Sequence, residues 1–228
     1  MELCGIVPRL TEIRRNEVLL YLGYRGSEIP AALERQLTDC MALVMKTARP
    51  RATWRIFDLQ ADGALGATGF VPGGNDIRQL LRDCDRAILM AVTLGAETER
   101  LLRRKQTEDM AEALILDCCC SSAVENVCDN LCDDLAEALR PRFLTDRFSP
   151  GYGDLPFAQQ KEFCSLLDLP RRIGVSLTPG GLMVPQKSVT AMLGIADRPQ
   201  PMRLRGCSHC GLFESCEFRK EGKTCGSF

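Results

Sequence analysis

Four cysteines near the C-terminal end, Cys207, Cys210, Cys216 and Cys225, follow the spacing C-x2-C-x5-C-x8-C. Two cysteines three positions apart can chelate one ion through a tight turn, and Gly206 and Gly211 ease that turn. Four thiolates suit tetrahedral zinc or an iron–sulfur cluster. The stretch around them has almost no apolar residues beyond Leu212, Phe213 and Phe218, so a metal would have to fold it. His209 sits inside the chelate turn, a poor place for a fifth candidate ligand. Arg198, Arg203, Arg205, Arg219, Lys220 and Lys223 give the same stretch a local positive excess. Offsetting the charge of the thiolates accounts for it better than a nucleic-acid patch, because the rest of the chain shows no basic surface.

Other cysteines read differently. Cys118, Cys119 and Cys120 are consecutive, and on a helix such residues point about 100° apart, so they cannot share one metal. Buried small hydrophobes are the better reading. Cys128 and Cys132, four apart, do share a helix face.

A second candidate is the stretch Arg147-Phe-Ser-Pro-Gly151-Tyr152. Pro150 stiffens a turn, and Gly151 permits positive φ or close backbone approach to a ligand. An arginine beside such a turn can grip a carboxylate bidentately. Alone, R-x3-G-Y suits an ordinary surface turn better than a site. The residues that follow make an ordered series: Pro156, Lys161, Leu166-Leu167, Gly174, Leu177-Thr178, Met183, Pro185 and Ser188-Val189.

Over residues 147–191 this series resembles the S-adenosylmethionine-binding activation domain of cobalamin-dependent methionine synthase, with its R-x-x-P-G-Y and L-T-x4-M-x-P-x2-S-V blocks. A looser likeness places Ala123-Val124-Glu125 on that domain's helix with a ligand-binding glutamate. The resemblance implies that Arg147 pairs with the ligand carboxylate and that Glu125 accepts its ammonium. Gly151 and Tyr152 would face the adenosine or the corrin, while Met183 and Pro185 shape the neighbouring strand. It implies S-adenosylmethionine as ligand and cobalamin on a partner protein, reductively methylated at the expense of one external electron. The protein's task would be positioning, with no catalytic side chain. That agrees with a single histidine in the whole sequence.

The sequence departs from the family in four ways, one being Gly180-Gly181 after Thr178-Pro179, where the family has larger residues. It has no homocysteine, folate or cobalamin domain, so its expected partner is a methionine synthase lacking its own activation domain, or another corrinoid protein, together with an electron donor. An acidic ligand residue of the family, expected in the first hundred residues, has no match in sequence. The cysteine tail has no counterpart. A reductive activation needs an electron, which favours an iron–sulfur cluster over zinc there. Two other readings remain open: an iron–sulfur redox activator of a corrinoid protein, and a non-catalytic zinc-stapled adaptor for a methyltransferase.

These residues need elements to carry them. Leu33, Leu37, Cys40, Met41 and Val44 recur at helical spacing within a largely helical stretch, 16–50. Residues 54–59 alternate as a strand, and 87–92 read as a buried one. Asn75 can cap a helix running to Cys84. Ala113, Cys120, Val124, Val127, Leu131, Leu135 and Ala138 share one face of a helix from Thr107 to Pro141, roughly 45 Å long. Such a helix should bend, or break at Ser121-Ser122. A further helix is expected at 156–168, then strands at 173–177 and 188–193 joined by the loop 178–181.

With the resemblance, these elements give an α+β fold, long helices on an antiparallel sheet, with 1–196 as one domain and 197–228 as a metal-binding tail. The 228 residues hold 29 Lys plus Arg against 30 Asp plus Glu, a near balance that excludes a general polyanion binder. Thirteen cysteines, with no basic and apolar leader at the start, point to free thiols in a reducing cytoplasm. No apolar run approaches the ~18 residues a membrane span needs.

Overall fold

The computed structural model describes residues 5–24 and 28–200, with Glu214 and Lys220. Cys207, Cys210, Cys216, Cys225 and His209 lie outside the described residues. A four-stranded antiparallel sheet has the order β1-β2-β6-β3, made of β1 (Arg51–Asp58), β2 (Cys84–Thr93), β6 (Ser188–Ala196) and the short β3 (Phe143–Leu144). Helices cover both faces. The architecture is α+β, as the sequence implies.

The two-sided cover follows from β2. Its apolar run is continuous, which suits a strand buried on both faces. Ile88, Met90 and Val92 point into one core with Ala191, Leu193 and Ile195 of β6. There they meet α1 (Arg15–Tyr21), α2 (Ala31–Thr47), α4 (Ala96–Glu108) and α5 (Met110–Ala138). Ala87, Leu89 and Ala91 alternate to the other face with Met192. That second core is closed by α3 (Asn75–Leu81), α6 (Gln160–Leu167) and α7 (Leu169–Ile173).

Four sequence expectations need correction. The long helix starts at Met110 rather than Thr107, because Asp109 leaves the helical region, ending the unexpected α4 and capping α5 by accepting from the N–H of Ala111 at 2.9 Å and of Glu112 at 3.0 Å. There is no break at Ser121-Ser122: α5 runs unbroken through it, with Ser121 Oγ donating to the Asp117 carbonyl at 3.1 Å. Asn75 is the first residue of α3 and its cap comes from Asp154, while Cys84 already belongs to β2. The expected strand at 173–177 shrinks to β4 (Ser176–Leu177), because Ile173 ends α7 and Gly174 turns the chain at φ 72°. Its partner is β5 (Met183–Val184), in a separate two-stranded sheet, and the loop 178–181 joins these two.

Residues 9–14 run beside α5 outside regular structure, held by polar groups. Ser122, Asn126, Asn130 and Asp134 recur every fourth residue, and Ser122 and Asn126 are buried. Asn126 Oδ1 accepts from the N–H of Thr11 at 2.9 Å and of Glu12 at 3.3 Å. Ser122 Oγ accepts from Arg14 N–H at 3.0 Å, Asn130 donates to the Arg9 carbonyl at 3.1 Å, and Arg9 pairs with Asp134. Polar groups in a buried helix face are thus satisfied by a neighbouring backbone.

Candidate ligand-binding site

After β3 the chain continues along β6: Thr145 N–H donates to the Gly194 carbonyl at 3.0 Å, and Phe148 N–H to that of Met192 at 2.9 Å. Phe148 enters the second core, and Arg147 meets α5 on the other face of the sheet. Its guanidinium reaches Glu125 at 2.9 Å and Asp129 at 2.8 Å, with the sulfur of Cys132 at 3.9 Å. These three α5 residues stand at i, i+4 and i+7, one helical stripe. The structure therefore brings Arg147 and Glu125 together from separate elements.

The charges extend outward from this pair. Asp129 gives its second oxygen to Arg14 at 2.9 Å, and Arg14 also binds Glu17 at 3.0 Å and Glu12 at 3.1 Å. Ser122 donates to Glu17 at 2.8 Å. Burial opposes the charge on Arg147, yet the facing Cys128 and Cys132 sulfurs and the Glu125 and Asp129 carboxylates outweigh it and hold its pKa above the ordinary value. Burial pushes the Glu125 carboxyl above its usual range; Arg147 pulls it back, and Asp129 and Glu17 add to the rise. Because 40% of the Glu125 side chain stays accessible, water tempers that penalty.

Glu125 also lines a cleft of about 470 Å³ together with Tyr21, Asp117, Ser121 and Lys187. Lys187 Nζ is fixed at 2.9 Å from both Asp117 and Ser121. Gln186, Lys187 and Ser188, from the second sequence block, form one wall. Two stretches some sixty residues apart thus converge on one opening.

Gly151 and Tyr152 stand on the turn beyond Arg147 and are not among the residues lining that cleft. Gly151 has φ 88° and donates its N–H to the Leu155 carbonyl at 2.8 Å; Tyr152 donates to that of Ser149 at 3.0 Å. The Tyr152 ring is half-exposed and meets Phe148 edge-on, with centroids 6.0 Å apart. Asp154 fastens the turn to α3 by accepting from the N–H of Asn75 at 2.6 Å and of Asp76 at 3.0 Å. Gly74 and Gly153 permit this approach, since a Cβ at either would overlap the facing aspartate.

Sequence reasoning missed Asp129, Arg14, Glu17 and Lys187. For Arg14 and Glu17 the signal is the four-residue polar period on α5, which has no place on an apolar helix face unless another segment binds it; Asp129 lies off that period. Cys118, Cys119 and Cys120 are buried, and burial raises all three thiols, which fits packing rather than reactivity. Among the described residues no group of three or more His, Cys, Asp or Glu could hold a metal ion, and no helix is long and apolar enough to cross a membrane.

No protein-family profile matches the sequence, and no curated protein does. Solved structures do match. One is the MetH reactivation domain bound to AdoHcy, with a TM-score of 0.59 and 15% identity, covering 91% of this chain and 80% of that one. The α+β architecture described above is the fold of that reactivation domain.

Proposed function

We propose that this chain binds S-adenosylmethionine beside Arg147 and Glu125 and supports reductive methylation of cobalamin on a separate methionine synthase or other corrinoid protein. The observation that carries the reading is the pairing of Arg147 with Glu125, which itself lines a cleft, on a fold shared with a domain solved with AdoHcy bound. An amino-acid ligand carries the complementary charges. Its carboxylate goes to Arg147 and its ammonium to Glu125, so one internal ion pair is exchanged for two charge-assisted contacts. Glu17, bound by Arg14 at 3.0 Å and Ser122 at 2.8 Å, is the candidate acidic residue from the first hundred.

The chemistry is methyl transfer. One electron from an external donor takes cob(II)alamin to cob(I)alamin; the cobalt electron pair then attacks the sulfonium methyl. A Co–C bond forms, the S–C bond breaks, and sulfur keeps its pair as the thioether. The chain's own residues orient the ligand and require no acid or base. Tyr152 and Phe157, both half-exposed beside Gly151, are the aromatic side chains open to a corrin. Residues 1–196 form the ligand-binding domain, and Cys207, Cys210, Cys216 and Cys225 in 197–228 hold an iron–sulfur cluster or zinc.

Calorimetric titration with S-adenosylmethionine tests the ligand grip. Arg147→Ala should raise the dissociation constant roughly 30-fold or more, as expected when a partly buried charge loses its partner. Unchanged affinity in a folded variant would reject the assignment.

A further inference from the structure

We propose that Asp129 is a built-in competitor for the ligand carboxylate, and that Arg14 sets how firmly it competes. The inference rests on the ligand reading above and adds two residues to which neither the sequence motifs nor the comparison gives a role.

The geometry is a shared carboxylate. One oxygen of Asp129 binds Arg147 at 2.8 Å and the other binds Arg14 at 2.9 Å. Arg147 is the less exposed arginine, at 20% of its side chain against 41% for Arg14. A ligand carboxylate at Arg147 must share or displace the hold of Asp129. Whatever Arg14 draws from Asp129 weakens that hold. Arg14 is itself fixed by Glu12 and Glu17 and by its own N–H on Ser122, so its reach to Asp129 depends on residues 9–14 lying in place along α5.

Removing Asp129 therefore frees Arg147 for the ligand, and removing Arg14 commits Arg147 further to Asp129. The two changes act with opposite sign, which a merely structural role for either residue would not produce. Neutralising any one charge also alters the general attraction for a cationic ligand. The informative quantity is thus the ratio of affinities for S-adenosylmethionine and its decarboxylated analogue, which lacks the group in question.

The test is calorimetry of both ligands with the wild type, Asp129→Asn, Arg14→Gln and the double variant. The ratio should rise roughly tenfold in Asp129→Asn and fall by a similar factor in Arg14→Gln. In the double variant the effect of Arg14→Gln should disappear. A ratio that falls in Asp129→Asn, or that moves the same way in both single variants, overturns the proposal. Absence of S-adenosylmethionine binding to the wild type would instead reject the ligand reading. Urea unfolding without ligand then decides the inference separately. The loss on replacing Arg14 and Arg147 together should exceed the sum of the single losses, and the excess should shrink in an Asp129→Asn background. Additive losses would overturn the shared carboxylate.

Discussion

Glu125 carries a carboxyl whose pKa is raised, because the cost of burial exceeds what Arg147 returns. A protonated glutamic acid cannot pair with an ammonium. Ligand affinity should therefore decline as pH falls from neutral toward 4.5, starting above the range where an ordinary glutamate titrates. Stability has the opposite sign. A carboxyl with a raised folded-state pKa favours folding below its unfolded value, and that contribution is lost as pH rises through the folded one. Glu125→Gln should flatten both profiles, one read by titration calorimetry across pH and the other by urea unfolding across the same range. Opposed slopes from one residue distinguish a binding group from a packing group.

Among the elements, α3 shows how a turn that carries candidate ligand residues is kept in place. It has seven residues, too few to be stable by itself. Asp154 caps it from across the fold, and the donation by Asn75 N–H holds the Asp154 carboxyl below its ordinary value of 3.8. Asp154→Ala should cost about 1–2 kcal/mol, measured by urea unfolding at neutral pH. The contribution is present above the unfolded pKa and disappears as pH falls through the lowered folded one, so wild type and variant should converge in strong acid. This cap was not legible in the sequence, because its halves are 79 and 78 positions apart. Periodicity found α2, α5 and the paired strands β2 and β6, each with an apolar face long enough to mark it. It missed α4, where Thr98, Leu101 and Leu102 are buried among residues that mostly pair charges along the helix surface, such as Arg103 with Glu99. The strand expected at 173–177 failed because Asp168, at φ 51°, and Gly174 enclose a short helical turn that apolar composition cannot reveal.

For the whole molecule, the sheet divides the interior into two cores, and the candidate ligand pair lies against only one. Leu131→Ala, in the core under α5, should destabilise the protein by about 2–5 kcal/mol. Replacing Cys210 and Cys225 with serine should leave the urea midpoint of that core unchanged while abolishing bound metal. Metal analysis and an absorption spectrum of anaerobically purified protein read the second effect. Stoichiometric zinc without visible colour would exclude a cluster. Of the site, Arg147 and Glu125 were legible as residue types within a family-like pattern. Asp129, the second carboxylate on Arg147, was not, since it lies off the polar period of α5 and no local feature of the sequence marks it.

The polar ladder on α5 also acts as a ruler. Four helical residues advance about 6 Å, and two extended residues advance about 6.6 Å, so the two repeats are nearly commensurate. Thr11 and Glu12 meet Asn126, and Arg14 meets Ser122 one rung on. A slip of two residues would present the same kinds of backbone donors to the same rungs but carry Arg14 away from Asp129. Register along this seam thus fixes whether Arg14 stands beside Asp129.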